Sequence, residues 1–187
     1  MYKTLSRDLA SPPLSFLKNG AIVLLSSFLI GLLGQVAIPL PFTPIPIVTQ
    51  CQAILLLSIL LGSQRAAAAV ALFLMQGAMG LPVFANGAAG LAILMGPRGG
   101  YLIGYLVAAY VVGALMERVK ERSVMQTFLA LCLGNGIVYL LGAAYLSSFL
   151  GVKKALLLGV APFLLGDLLK NIACLKILQW LDRRRSL

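Results

Sequence analysis

Long apolar runs, separated by short polar or glycine- and proline-rich stretches, extend along the 187-residue chain. A helix needs about 20 mostly apolar residues to cross the hydrocarbon core of a bilayer. Windows of this kind predict six spans, at about 19–38, 47–62, 64–80, 99–116, 124–146 and 155–181. Four prolines within 39–46 separate the first span from the second, because proline breaks a helix. The pattern therefore predicts an all-α integral membrane protein with six transmembrane helices, in which 1–187 form a single membrane domain.

The composition agrees with a membrane protein and argues against a nucleic-acid binder. Hydrophobic residues make up 60% of the chain and charged residues 11%, against roughly 45–50% and about 25% in soluble domains. The net charge is +10, but the basic residues lie in short clusters between apolar runs rather than in a patch among aromatic residues. We therefore expect the lipid bilayer, and not nucleic acid, as the surrounding partner.

Basic residues are distributed unevenly between the two sides that six spans would create. Ten belong to the side of both termini, the 62–65 turn and the 117–123 loop: Lys3, Arg7, Lys18, Arg65, Arg118, Lys120, Arg122, Arg183, Arg184 and Arg185. The other side has only Arg98, Lys153 and Lys154. The positive-inside rule then predicts a multi-pass protein of the cell membrane with both termini in the cytoplasm. The 117–122 and 182–185 clusters fit topology signals, and also contact with anionic lipid or an acidic partner.

An acid and a base, Asp167 and Lys170, lie inside the apolar sixth span. Residues three apart share a helix face, so the two charges point the same way. An ionisable residue at the bilayer centre costs about 2.5–3.5 kcal/mol on insertion scales, and such residues usually face the interior of the bundle. We therefore predict a polar ligand site there, with a structural ion pair to a neighbouring helix as the alternative.

Two connections on the outer side have compositions that are unusual for loops exposed to solvent. The first, 39–46, has four prolines in eight residues and no charge, which predicts a stiff, extended segment. The second, 80–100, holds six glycines in twenty-one residues and is largely apolar. Irregular backbone at membrane depth is tolerated where protein buries it or where it lines a cavity. We expect these irregular extracellular loops to cap a ligand pocket, with Asn86, Thr43 and Gln50 as further polar groups.

Several kinds of chemistry are absent from the sequence. There is no histidine, no G-x-x-x-x-G-K-[ST] phosphate loop, and only one acidic residue within the predicted spans. We therefore predict that the chain is not an enzyme, has no catalytic residues and needs no metal or other cofactor. A channel would be expected to show polar rings or stripes along most helices. Polarity concentrated in one place indicates a site for one solute.

Small residues spaced four apart indicate close helix contacts on two spans. These are Ser27 with Gly31, and Gly100 with Gly104. Such pairs permit close backbone approach. Internal packing explains both pairs, and for Ser27 and Gly31 the functional alternative is a face that docks a partner protein.

Four motifs together resemble those of the BioY family. They are Pro39-Leu-Pro-Phe-Thr-Pro-Ile-Pro46, Gly80-Leu-Pro-Val-Phe-Ala85, Gly96-Pro-Arg-Gly-Gly-Tyr-Leu-Ile-Gly104 and Gly166-Asp-Leu-Leu-Lys170. The resemblance covers essentially the whole chain. It implies the biotin-specific substrate-binding (S) component of an energy-coupling factor (ECF) transporter, with an outward-facing biotin pocket. The implied partners are biotin, a transmembrane coupling protein and two cytoplasmic ATPases, which would supply the energy.

The resemblance also suggests roles for single residues. Lys170 would pair the biotin carboxylate, while Asp167 and Asn86 would meet the ureido head. Asp167 and Lys170 can instead pair with each other, and the two ends of biotin are more than one helical turn apart, so this division stays open. Secondary polar candidates are Thr43 and Gln50; candidate apolar walls are Phe42, Phe84, Tyr101 and Tyr139.

The sequence departs from the family pattern at two places. Ser27 and Gly31 stand where the family often has two alanines for docking to the coupling protein. Arg98 stands in the Gly-Pro-x-Gly-Gly motif, where a small polar residue is expected; it is either a surface cation or a second carboxylate contact. The competing functions are an S component for another small vitamin-like solute and a ligand-free membrane scaffold.

Overall fold

The computed structural model describes residues 12–119 and 123–185 and is mostly helical. The helices are α1 Pro12–Gly34, α2 Gln50–Leu61, α3 Ser63–Ala78, α4 Leu91–Met95, α5 Gly99–Arg118, α6 Val124–Leu150, α7 Val152–Gly159 and α8 Ala161–Arg185. Two short strands, β1 Ala37–Ile38 and β2 Ile47–Val48, and a 3₁₀ turn, Ala85–Gly87, lie between them. The predicted all-α class is confirmed. Four of the ten basic residues that predict the topology, Lys3, Arg7, Lys120 and Arg122, lie outside the described residues.

The first two spans are shorter at their facing ends than the sequence predicts. The expected bounds were 38 and 47, but α1 ends at Gly34 and α2 begins at Gln50. The residues between them form an antiparallel pair, in which Ala37 faces Val48 and Ile38 faces Ile47. Backbone pairing in this hairpin takes the place of helical hydrogen bonds. The proline segment 39–46, called the strap below, is the loop of the hairpin.

The predicted sixth span is interrupted near its outer end. Val160 leaves the helical region (φ −126°, ψ −58°), so α7 ends at Gly159 and α8 begins at Ala161. Pro162 has no N–H to donate to Leu158, and Phe163 N donates to Val160 rather than to Gly159. The break therefore leaves two carbonyl oxygens for other partners. Hydrogen-bond patterns of this kind could not be assigned from the hydropathy of 155–181.

Helix length separates four spans from the two others that the sequence predicts. Among the described residues, four segments are long and apolar enough to cross a membrane: Phe16–Gly34, Gly99–Arg118, Val124–Leu150 and Val152–Leu181. The second and third predicted spans correspond to α2 and α3, which have 12 and 16 residues. At 1.5 Å per residue they reach about 18 and 24 Å, less than the roughly 30 Å of a hydrocarbon core.

Helix α5 forms the centre of the bundle and α1 its edge. In the apolar window of α5, 61% of residues are buried, against 22% in α1. Gly100 and Gly104 face α6. A Cβ added at Gly100 would lie 2.6 Å from the carbonyl oxygen of Leu141, and one added at Gly104 would lie 3.0 Å from the Cα of Val138. The close helix approach predicted for this glycine pair is confirmed.

The outward faces of the helices are strongly apolar. On α8, Leu165 and Leu169 are 76% and 63% exposed, and on α6 Leu140 is 72% exposed. A soluble monomer rarely exposes contiguous apolar surface on this scale. These faces fit the hydrocarbon interior of a bilayer, as the sequence predicts.

A carboxylate joins the α2–α3 corner to the end of α5. Glu117 accepts hydrogen bonds from the backbone N–H of Ser63 at 2.8 Å and from its hydroxyl at 2.9 Å. The first N–H groups of a helix have no partner within the helix. At the start of α3 no capping side chain accepts from them, and Glu117 takes that place for the N–H of Ser63. Arg65 and Arg118 are therefore at the same end of the bundle.

Candidate ligand-binding site

A cavity lies between the strap, β2 and helices α2, α5, α6 and α8. The space between its lining atoms measures about 360 Å³, including solvent at its mouth. Its lining residues are Ile45, Pro46, Val48, Cys51, Tyr101, Tyr105, Val138, Tyr139, Phe163, Asp167 and Lys170. The set is mostly apolar and aromatic with a few polar groups, which is the usual composition of a small-molecule pocket.

Asp167 and Lys170 form the polar end of this cavity. Lys170 Nζ lies 2.9 Å from Asp167 Oδ1 and also donates to the carbonyl oxygen of Val48 at 2.9 Å. The hydroxyl of Tyr139 donates to Asp167 Oδ2. The side chains of Asp167 and Lys170 are 12% and 23% exposed, so both are largely withdrawn from solvent. The prediction that the two charges share one helix face is confirmed, and the pair is internal to α8 rather than a bridge to another helix.

Unused hydrogen-bonding capacity remains at this polar end. An ammonium group has three N–H donors, of which Lys170 uses two within the part of the chain that the structure describes. Each Asp167 oxygen has accepted one hydrogen bond, and a carboxylate oxygen has room for a second. The pair is neutral in sum, so it can receive a ligand group that has both a donor and an acceptor.

Two side-chain hydrogen bonds hold the strap over the cavity, one from Thr43 in the strap itself and one from Arg98 at the start of α5. Thr43 donates from its hydroxyl to the carbonyl oxygen of Leu158 at 2.8 Å, one of the acceptors that the α7–α8 break leaves free. Arg98 Nε donates to the carbonyl oxygen of Pro44 at 2.9 Å. Partial burial lowers the pKa of the Arg98 guanidinium from its ordinary value. Thr43 thus positions the strap and does not line the cavity.

Both tyrosines that the sequence predicts as walls lie at the cavity, and each also makes a hydrogen bond. Tyr101 donates to the carbonyl oxygen of Gly159 at 2.8 Å, the second acceptor left by the helix break. Tyr139 holds Asp167, as described above. The two tyrosines are therefore hydrogen-bond donors as well as apolar walls. The sequence alone did not indicate which groups their hydroxyls reach.

Gln50 and Phe84, two other predicted site residues, pack inside the protein away from the cavity. Gln50 is 1% exposed, and its amide donates to the carbonyl oxygens of Ile30 at 3.0 Å and Val83 at 3.2 Å. Phe84, also 1% exposed, packs edge-on against Phe73 with a centroid distance of 5.4 Å. Both residues fix the 81–85 segment against α1–α3, so the structure does not place them against a ligand.

Asn86 and Phe42 are exposed and do not line the cavity. Asn86 has a left-handed backbone (φ 60°) in the 3₁₀ turn, and Asn tolerates that conformation better than most residues. Phe42 is 55% exposed. Their contact with a ligand stays a prediction, because neither residue is among those that line the cavity.

Ser27 and Gly31 belong to internal contacts rather than to a free face. Ser27 is fully buried and donates to the carbonyl oxygen of Leu24 at 2.8 Å. A Cβ added at Gly31 would lie 3.1 Å from the side chain of Val83. Of the two readings of this small-residue pair, the structure supports internal packing and does not present either residue to a partner.

Sequence reasoning missed several lining residues, and some had a detectable signal. Tyr105 follows Tyr101 by four residues and Phe163 precedes Asp167 by four, so each shares a helix face with a predicted site residue. Cys51 belongs to the buried core and also lines the cavity, and its thiol donates to Asn135 Oδ1 at 3.3 Å. Nothing in the sequence relates those two positions, which come from α2 and α6.

Sequence and structural similarity agree on one family. A family model described as BioY matches residues 4–186. A protein named biotin transporter BioY from Thermotoga maritima is 38% identical over 136 residues, which is 72% of this chain and 79% of the relative. A protein of the same name from Rhodobacter capsulatus is 39% identical over 173 residues, which is 83% of this chain and 88% of the relative.

A solved structure has the same fold over nearly the full length. It is the S-component for biotin from an ECF-type ABC transporter, with a TM-score of 0.82 and 28% identity, covering 93% of this chain and 95% of that one. The named relatives are transporters, which agrees with the prediction that the chain is not an enzyme. The similarity extends through all the motifs that suggested it, and the chain therefore belongs to the BioY family.

Proposed function

We propose that this chain binds biotin from outside the membrane and serves its uptake as the S component of an ECF-type transporter. The observation that carries the proposal is the buried Asp167–Lys170 pair, with the hydroxyl of Tyr139 on Asp167, at one end of an otherwise apolar and aromatic cavity. Biotin combines an apolar bicyclic body with a ureido group that has two N–H donors and a carbonyl acceptor. The carboxylate can accept the N–H groups, and the free donor of Lys170 suits the carbonyl.

The proposed topology is six spans with both termini in the cytoplasm. Because Glu117 binds Ser63, the α2–α3 corner and the end of α5 are at one end of the bundle, and Arg65 and Arg118 are there. Arg98 contacts the strap and belongs to the other end. In this arrangement α2 and α3 are short second and third spans of a single membrane domain, and the strap faces outward.

The proposed energy source lies in other proteins. A transmembrane coupling protein and two cytoplasmic ATPases, as the family implies, would use ATP on behalf of this chain, which has no phosphate loop of its own. Ser27 and Gly31 are not assigned to the docking face, because both are buried within the chain.

Direct binding to the purified, detergent-solubilised protein tests the proposal. We expect saturable binding of labelled biotin, one molecule per chain, that unlabelled biotin displaces and thiamine or riboflavin in large excess does not. Displacement by another vitamin instead would assign the cavity to that solute. No binding of any such solute by protein with a cooperative unfolding transition would favour the scaffold alternative.

Tyr139→Phe tests whether the phenol hydroxyl contributes through Asp167. The ring remains as a wall, but the hydrogen bond to the carboxylate is lost, and such bonds to charged groups contribute about 1.5–3 kcal/mol. We expect biotin affinity to fall by about tenfold, because Asp167 is held less firmly at the cavity, and the unfolding temperature to fall as well. Tyr110→Phe, on a tyrosine that is 55% exposed on α5, is the matched control and should bind as the unmodified protein does. Unchanged affinity in Tyr139→Phe would contradict the prediction.

A further inference from the structure

We propose that Arg98 binds the carboxylate of the ligand at the rim of the cavity, while the Asp167–Lys170 pair binds the ureido end. This assignment rests on the proposed function and specifies how the same site distinguishes biotin from its uncharged derivatives. It makes Arg98, which replaces the small polar residue expected in its motif, a specificity-determining residue of this chain.

The polar end of the cavity already contains one positive and one negative group. The ammonium of Lys170 is 2.9 Å from the carboxylate of Asp167, so the polar end of the cavity is already neutral. A second carboxylate placed there would have to compete with Asp167 for Lys170. A buried anion without its own partner is costly. The neutral ureido group, which offers donors and an acceptor together, avoids that competition.

Arg98 is adjacent to two walls of the cavity, the strap and the first turn of α5. Its Nε donates to Pro44, the residue directly before Ile45 and Pro46, which line the cavity from the strap. Arg98 also precedes Tyr101 by three residues, and Tyr101 lines the cavity from the first turn of α5. Arg98 is half-buried between these two walls. The guanidinium is thus held beside the strap, next to residues that line the cavity, although Arg98 is not itself one of them.

Arg98 has no carboxylate partner among the residues that the structure describes. A guanidinium has five N–H donors, and within 12–119 and 123–185 only the Nε donor of Arg98 has a hydrogen-bond partner. Of the five acidic residues in the chain, Asp8, Glu117, Glu121 and Asp182 belong to the predicted cytoplasmic side, and Asp167 is already paired. The two outer donor groups of Arg98 suit a carboxylate, which guanidinium binds in a planar, bidentate geometry.

The other cations on this side do not have the same position. Lys153 and Lys154 are exposed in the first turn of α7, whereas Arg98 is half-buried against the strap. They provide a matched control for the loss of one positive charge on the outer side.

Binding of biotin and of biotinamide, which has the same ureido head and no charge, tests the assignment. We expect the unmodified protein and Lys154→Gln to prefer biotin over biotinamide by about tenfold or more, the strength of a charge-assisted contact. Arg98→Gln should lose most of this preference by weakening biotin alone. Arg98→Lys keeps the charge and should retain part of the preference.

Three outcomes would overturn the assignment. Equal weakening of both ligands in Arg98→Gln would mean that Arg98 only holds the strap. An unchanged preference in Arg98→Gln would place the carboxylate elsewhere, while leaving the proposed biotin function intact. Failure of the unmodified protein to bind either ligand would overturn the proposed function and this assignment with it.

Discussion

Lys170→Met is expected to lower biotin affinity by about hundredfold or more. The change leaves the carboxylate of Asp167 in the cavity with Tyr139 as its remaining side-chain partner, and it removes the donor to Val48 as well. The ligand loses a hydrogen bond from a charged donor, which contributes about 1.5–3 kcal/mol, and Asp167 loses the ammonium group that holds its carboxylate at the cavity. Each 1.4 kcal/mol corresponds to a tenfold change in affinity. Equilibrium binding of labelled biotin measures the loss.

The control for this variant is another lysine of the same helix. Lys176→Met removes a positive charge from an exposed position of α8 that does not line the cavity. It should bind biotin within about twofold of the unmodified protein, since surface charges contribute little. If Lys170→Met also bound within that range, the Asp167–Lys170 pair would be structural and the ligand site would lie elsewhere.

The double variant Asp167→Asn with Lys170→Met separates binding from folding. Removing both charges leaves no unpaired ion, so we expect its unfolding temperature to exceed that of Lys170→Met. Biotin binding should stay lost, because the ligand needs the removed groups themselves. Restored binding in the double variant would show that Lys170→Met acted by destabilising the fold.

Gly100→Ala is expected to destabilise the protein by about 2–3 kcal/mol, at the upper end of overpacking effects. The added Cβ would lie 2.3 Å from the Cβ of Tyr145 and 2.6 Å from the carbonyl oxygen of Leu141. A backbone carbonyl in the middle of α6 cannot rotate aside, so the two central helices must move apart. Thermal unfolding in detergent should show a clearly lower midpoint.

A glycine on the facing helix provides the control for Gly100→Ala. Gly136 on α6 has open space around the position of a Cβ, with no atom within 4 Å. Gly136→Ala should leave stability unchanged or raise it by up to about 1 kcal/mol, because alanine favours the helix. Equal unfolding midpoints for Gly100→Ala and Gly136→Ala would contradict the close approach of α5 and α6.

The sequence predicted the helical class well and the ends of several helices less well. The start of α5 at Gly99 and of α6 at Val124 agree with the expected 99 and 124, because glycine-rich and polar segments end the apolar runs there. The ends near 38 and 47 were wrong, since Ala37–Ile38 and Ile47–Val48 pair as strands. Hydropathy is nearly the same for an apolar strand and an apolar helix of a few residues, so it could not distinguish them.

The candidate site was predicted in part, and the pattern of success has a simple cause. Asp167 and Lys170 were found because an ion pair inside an apolar helix is conspicuous and its geometry is local to α8. Gln50 was predicted as a ligand contact, but a buried amide can equally bind backbone carbonyls, as it does at Ile30 and Val83. Local spacing does not identify the partner of a side chain when that partner is on another helix.

What the sequence by itself determined is the set of properties that depend on single segments. These are the membrane class, the approximate positions of the apolar helices, the shared face of Asp167 and Lys170, and the motifs of the family. Only the tertiary structure decided which residues meet across elements: Tyr139 with Asp167, Thr43 with Leu158, and Arg98 with Pro44. The reason is that hydropathy and periodicity fix the conformation of a segment, whereas its rotation and depth in the bundle result from packing against all the others.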